Sequence, residues 1–172
     1  MVEERFLIDA NSFIASYKNF YPFDIAPGFW EQLRNAIMTE SVTVLDIVRA
    51  EILKGDDELN IWISEMSELE VMDRREQGIM KKYREVINYL QSSSLYNEKA
   101  LRAWSDESVA DPWLIAVAAA NECTIITFEQ SAGKISENAP SGRPKIPDVA
   151  KAFNVKCENL YYFMRKMNIC WE

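Results

Sequence analysis

Four short segments set an acidic residue in a strongly apolar context. They are Leu7-Ile8-Asp9-Ala10-Asn11, Val48-Arg49-Ala50-Glu51-Ile52-Leu53, Ala110-Asp111-Pro112-Trp113-Leu114-Ile115-Ala116 and Ile126-Thr127-Phe128-Glu129. Three or four converging carboxylates cannot all stay ionised unless a cation sits among them. Hard oxygen ligands suit Mg²⁺ or Mn²⁺. Two such ions about 3.5–4 Å apart clamp an in-line phosphodiester displacement. Each segment also has an ordinary reading. Asp9 and Asp111 suit helix caps, the latter just before Pro112, and Glu51 suits an ion pair with Arg49 or Lys54.

Histidine is absent. That excludes the Ser-His-Asp triad, the Cys-His pair and His-ligated zinc, and it leaves carboxylates, lysines, hydroxyls or a cofactor to do any chemistry. Cys123, Cys157 and Cys170 are odd in number and lack metal-binding spacing, so they read as buried reduced thiols. Five glycines provide no phosphate-cradling loop. The net charge of −8 is uneven: residues 1–133 carry 12 basic against 23 acidic side chains, residues 134–172 carry 7 against 4. An acidic body repels phosphate unless a cation intervenes, so the C-terminal part is the better candidate to meet nucleic acid. Equally, the acidic surface serves solubility.

These carboxylates need a scaffold, and the hydrophobic pattern supplies one. At 172 residues the chain is read as a single domain, 1–172, large enough to fold without disulfide or metal. Residues 5–9, 42–45 and 123–128 read as short buried strands, and 154–157 as a further strand candidate. Between them lie helical patterns over 29–38, 58–67, 74–91, 97–104, 108–121, 146–153 and 158–167, with another after Asp46, which suits its cap. Tyr21-Pro22 and Ala26-Pro27-Gly28 read as connections, and residues 129–145 as a long polar loop. Strands alternating with helices predict an α/β fold with a small, mostly parallel sheet, strands 5–9, 42–45 and 123–128 being neighbours. Sites in such sheets form beyond the C-terminal strand ends, where Asp9 and Glu129 fall. The longest uncharged apolar stretch, around Pro112 to Asn121, is too short for a membrane span. The N-terminal Met1-Val2-Glu3-Glu4-Arg5 shows no signal-peptide pattern, so the expected location is cytoplasmic.

In this order the four acids resemble the PIN-domain nucleases: an apolar strand ending in Asp (FLIDANSFI), an acid on the helix after the second strand (VRAEILKG), an Asp opening an apolar helix (ADPWLIAVAAA) and a Thr-x-acid motif after a strand (ITFE). Through DANSFI, YPFDIAPGFW, DPWLIA and KIPDVAKAF the chain is similar, over nearly its whole length, to an uncharacterised prokaryotic PIN-like, toxin-type subfamily. The resemblance implies a three-layer α/β/α domain, Mg²⁺- or Mn²⁺-dependent endoribonuclease activity, a homodimer and a cognate antitoxin protein. It implies that Asp9, Glu51 and Asp111 hold the principal metal and that Glu129 completes the site. Many family members carry Asp where Glu129 stands, so Asp148 is a second candidate, with a helix N-cap as its ordinary reading. Asp106 competes with Asp111 but lacks an apolar helix directly after it. Thr127 is expected to fix a carboxylate through its hydroxyl. Asn11 and Ser12 are expected either to hydrogen-bond phosphate or metal-bound water, or to cap the first helix. Lys134, Arg143 and Lys145 are expected to steer RNA, or else to lie on a disordered surface loop.

Two other readings compete. An aspartyl phosphatase also starts with a strand-end Asp, but it needs a second Asp where Asn11 stands. A PIN-like module that binds RNA or protein without cutting remains the main alternative. Five tryptophans suggest either exposed apolar surface around Trp30, Trp62 or Trp104 for a dimer, or five core residues.

Overall fold

The computed structural model describes residues 4–170. The N-terminal reading of Met1 to Glu3, and Trp171 among the five tryptophans, lie outside the described residues. The chain is α/β. Strands β1 (Arg5–Ile8), β2 (Val42–Leu45), β3 (Val71–Met72), β4 (Cys123–Ile126) and β5 (Cys157–Glu158) form one all-parallel sheet in the order β3-β2-β1-β4-β5. The architecture is consistent with the expected three-layer α/β/α PIN-like class. Phe6 pairs with Val42, Leu7 with Thr43, Val44 with Val71 and Leu45 with Met72. The three longer strands are neighbours as expected. The strand order reverses direction between β1 and β4, the switch point of a doubly wound sheet.

Contacts divide the chain into two compact units, residues 4–73, 124–128 and 158–170 in the first, and 74–123 and 129–157 in the second. The first unit holds nearly all of the sheet. Leu7, Ile8, Val44, Leu45, Ile125 and Ile126 are at most 1% exposed. Burying each such side chain is worth about 1.5–3 kcal/mol, which fixes the register of these short strands. Helix α1 (Ala10–Ala15) runs into a π-helical turn at Ser16–Phe20, closed by Tyr21 N–H donating to Ser16 O at 2.7 Å. Helix α2 spans Pro27–Ile37, not 29–38, because Pro27 sits in its first turn, where its missing N–H costs nothing. Its Phe29, Trp30, Leu33, Ala36 and Ile37 make one buried stripe. Helix α3 (Asp46–Ile52) starts directly after β2 with Leu45 as N-cap, so Asp46 is a first-turn acid rather than the cap. Helix α4 (Glu58–Ser64) is capped by Asp57, which accepts Asn60 N–H at 3.1 Å.

In the second unit, helix α5 (Gln77–Ser92) buries Ile79, Tyr83, Val86 and Leu90. Helix α6 (Glu98–Trp104) is capped by Asn97. Helix α7 (Ala110–Asn121) is buried from Pro112 through Ala118, and Tyr83 stacks on Trp113 at 3.8 Å. Helix α8 spans Ile146–Ala152. Helix α9 (Leu160–Lys166), capped by Asn159, belongs to the first unit. Two features went unseen in the sequence: the two-residue β3 and the π-helical turn. The last strand falls at 157–158, later than the 154–157 expected, because Asn154 adopts a left-handed φ of 55°.

Trp30, Trp62, Trp104 and Trp113 are all buried, whereas Ile61, next to Trp62 on α4, is 58% exposed. All three cysteines are free thiols; Cys123 is buried as expected, whereas Cys157 is half-buried and Cys170 exposed. No described helix is long and apolar enough to cross a membrane.

Candidate active site

The β1 strand ends at Ile8, and the backbone turns into α1 at Asp9, whose φ of −73° and ψ of 144° are those of an N-cap. Its side chain makes no capping bond. Instead Asp9 Oδ2 accepts the Thr127 hydroxyl at 2.8 Å. The two side chains come from the ends of the two strands that flank the switch point, and both are buried, Asp9 at 7% and Thr127 at 3% exposure. The backbone locks the pair: Ile126 O accepts Asp9 N–H at 3.0 Å and the Ser12 hydroxyl at 3.0 Å. Thr127 N–H donates to Glu158 O at 3.0 Å, extending the β4–β5 ladder.

Side-chain capping is therefore wrong for Asp9 and for Ser12. The Ser12 hydroxyl reaches across to β4, and its own N–H bonds Asp9 O. Asn11 is exposed on α1. Glu51 is exposed on α3, and among the described residues no ion pair joins it to Arg49 or Lys54. Asp46, half-buried at the C-terminal end of β2, occupies a strand-end position like that of Asp9. Its signal was present, an acid closing a β-branched run, but the following helix made it read as a cap.

In the second unit Asp111 is half-buried in the first turn of α7, whose N-cap is Val109, so it is not the cap either. Near that helix start, burial pushes the Tyr83 phenol up; Glu107 and Asp106 add to the rise and Arg74 opposes it. Asp106 braces a turn by accepting Ser108 N–H at 2.8 Å, a bond that lowers its pKa.

Glu129 departs from its expected role. Its Oε1 pairs with Lys145 Nζ at 2.7 Å and its Oε2 accepts Ile146 N–H at 2.7 Å. It thus caps α8 from outside the helix and holds Lys145, the residue expected to steer RNA. Asp148 is not an N-cap, since Lys145 holds that place. It accepts the Ser131 hydroxyl and Ala132 N–H, the latter at 2.8 Å, and so ties down the loop. Further bonds from Ser94 to Glu137 and from Ser141 N–H to Leu95 O anchor the same loop, which is irregular but braced. Lys134 and Arg143 are exposed on it.

Among the described residues no group of three or more Asp, Glu or Cys side chains is gathered as a metal-holding set. The donor chemistry at Asp9 suits a hard cation, its carboxylate being oriented by the Thr127 hydroxyl. Glu129 fits that role poorly, with a lysine ammonium and a backbone N–H on its two oxygens.

Fold and site together define a doubly wound α/β protein with a buried, hydroxyl-oriented carboxylate at its switch point. The chain belongs to the family described as a domain of unknown function, DUF4411, whose family model matches residues 6–170. No curated protein matches the chain.

Proposed function

We propose that this protein is a PIN-type, Mg²⁺- or Mn²⁺-dependent endoribonuclease, working as the toxin of a toxin–antitoxin pair. The observation that carries the reading is the Asp9–Thr127 bond at the switch point. A buried acid at a strand end, released from helix capping and aimed by a second strand's hydroxyl, is the kind of group a phosphodiesterase needs. The chain lacks histidine, and a carboxylate is a natural anchor for a hard cation. When bound, a divalent cation neutralises phosphate charge and lowers the pKa of water. Asp9 presents its carboxylate in a fixed direction. Thr127 sets that direction, and Ser12 fixes the start of α1 against β4. The PIN resemblance implies ligand roles for Glu51 and Asp111, and variants at each position test them.

The partner part of the proposal has support of its own. A cleft of about 310 Å³ is lined by Phe23, Ile61 and Trp62 together with Glu58 and Glu65, and Ile61 is 58% exposed. Apolar surface that carries two carboxylates suits a basic, partly apolar protein segment, as an antitoxin would offer. A second reading, a PIN-like module that binds without cutting, is favoured by Glu129, whose oxygens are taken by Lys145 and Ile146.

The test is Asp9→Asn in the purified protein, assayed on single-stranded RNA with Mn²⁺ or Mg²⁺. Asn keeps the size and one acceptor oxygen but loses the charge. The expected outcome is loss of metal-dependent cleavage with the fold retained by circular dichroism. Retained cleavage refutes Asp9 as the anchor. A wild type that cuts no RNA with either metal turns the assignment to the binding module. Glu51→Gln and Asp111→Asn in the same assay decide whether those acids share the task.

A further inference from the structure

Phe128 follows Thr127 directly in the chain, so the residue after the carboxylate-orienting hydroxyl carries an aromatic ring. That ring lies 5.4 Å from Phe20 and 6.4 Å from Tyr161. The three come from the π-helical turn, the end of β4 and α9, all in the first unit. Phe20 is 47% exposed and Tyr161 39%, so these rings gather at the surface rather than in the core. Single exposed rings are ordinary; a cluster assembled from three distant segments is not. The cluster is also stiff. Tyr21 sits 6.3 Å from Phe20 and stacks on buried Phe29 at 4.2 Å. Its carbonyl accepts the Trp30 indole N–H at 2.7 Å. The π-helical turn that ends in Phe20 is a local distortion of a kind found often at functional sites.

We propose that Phe20, Phe128 and Tyr161 form a stacking platform that holds unpaired nucleobases of the RNA strand beside Asp9, with Lys18 and Arg165 meeting the flanking phosphates. The proposal rests on the nuclease reading and names how that site takes its substrate. Lys18 and Arg165 are exposed, Lys18 two residues before Phe20 and Arg165 four after Tyr161, hence on the same face of α9. Aromatic rings beside a few cations are the chemistry that single-stranded nucleic acid selects, because every base has a π-face. Stacking also answers the charge problem. A chain of net charge −8 gains little from broad attraction to phosphate, and rings bind bases without it. Binding should therefore depend weakly on salt. Two phosphate contacts on a single strand give a log–log slope of about −1.4. Paired bases are already stacked in a duplex and are shut out.

The test is a fluorescence titration of the full chain in EDTA with a roughly ten-nucleotide RNA containing 2-aminopurine, whose emission is quenched on stacking. Phe20→Leu and Tyr161→Leu keep apolar packing but remove the π-face, and Phe20→Trp restores one. The expected results are quenching by the wild type, binding about 5–100-fold weaker for each Leu variant, and near wild-type binding for Phe20→Trp. A duplex of the same sequence should bind at least tenfold more weakly. Absence of quenching, equal affinity for the duplex, or unchanged affinity in Leu variants that melt like the wild type overturns the platform. The two readings fail separately. Quenching by a wild type that never cleaves upholds the platform and overturns the nuclease. Cleavage with unchanged KM in the Leu variants upholds the nuclease and overturns the platform.

Discussion

Replacing Thr127 with valine removes one hydroxyl and leaves a side chain of nearly the same shape. That hydroxyl donates to Asp9 Oδ2 at 2.8 Å, and donor and acceptor residues are both more than nine-tenths buried. Hydrogen bonds to charged groups contribute about 1.5–3 kcal/mol net. Water has little room to replace the donor, but Asp9 keeps its other contacts, so the loss is confined to this one bond. We expect a cost of about 2 kcal/mol, which for a chain of this size is a fall in Tm of about 4–8 °C. An internal control lies three residues earlier, on β4. Thr124 donates to Glu4 Oε1 at 2.9 Å. The Glu4 side chain is 29% exposed, already takes the Tyr162 hydroxyl on both oxygens, and has Lys166 at 3.5 Å. Thr124→Val should therefore cost only about 0.5–1 kcal/mol, since water and these donors replace the lost bond. Thermal melts of both variants, and of Thr127→Val combined with Asp9→Asn, make the comparison. The double variant should be non-additive by about 0.5 kcal/mol or more, because the two groups touch. Equal falls for the two Thr→Val variants, or an additive cycle, would refute the claim that Thr127 specifically holds Asp9. Thr127→Val should also slow any metal-dependent cleavage.

Other consequences are measurable. Glu122 ends α7 with φ 54° in the left-handed region, where a Cβ is strained by about 1–2 kcal/mol. Glu122→Gly relieves that strain but loosens the unfolded chain, so differential scanning calorimetry should show Tm rising by about 1–3 °C. Burial pushes the Tyr96 phenol up to about 12, with Tyr89 and Asp148 adding to it. Between about pH 10, where an unfolded tyrosine ionises, and pH 12, the folded chain keeps a proton that the unfolded chain gives up. Stability must fall as pH rises through that window, and melts of Tyr96→Phe from pH 9 to 12 should decline less steeply. Glu129→Ala removes the acceptor of Ile146 N–H and the partner of Lys145. Limited trypsinolysis should then cut at exposed Lys134 several times faster while the far-ultraviolet circular dichroism stays unchanged.

What the sequence could disclose follows the range of the forces involved. β1, β2 and β4 announce themselves because each is a run of apolar, often β-branched residues long enough to show a pattern, and burial on both faces demands it. β3 is two residues, Val71–Met72, half-buried at the sheet edge, and two residues carry no period. The π-helical turn escaped for a related reason. It is closed by a backbone bond from Tyr21 to Ser16, and any side chains of similar size would allow that bond.

The same distinction separates the acids. Asp9 was legible because its position is local: the carboxylate ends an apolar strand, and the strand end is where a parallel sheet opens to ligands. Glu129 looks equivalent in sequence, yet its partners are 16 and 17 residues away across the 129–145 loop, and no local pattern could foretell that Lys145 and Ile146 would take its oxygens. Its departure from Asp was a signal all the same. The longer side chain is what lets a residue just past β4 act as a cap for α8. The aromatic cluster was hidden more deeply, since Phe20, Phe128 and Tyr161 are separated by 108 and then 33 residues and none sits in an unusual local context. Only the parallel sheet, by running β4 beside β1 and β5, brings the π-helical turn after β1, the end of β4 and the helix after β5 to one end of the same unit. The topology that aims Thr127 at Asp9 therefore also gathers the rings, and a change that shifted the β1–β4 register would disturb both together.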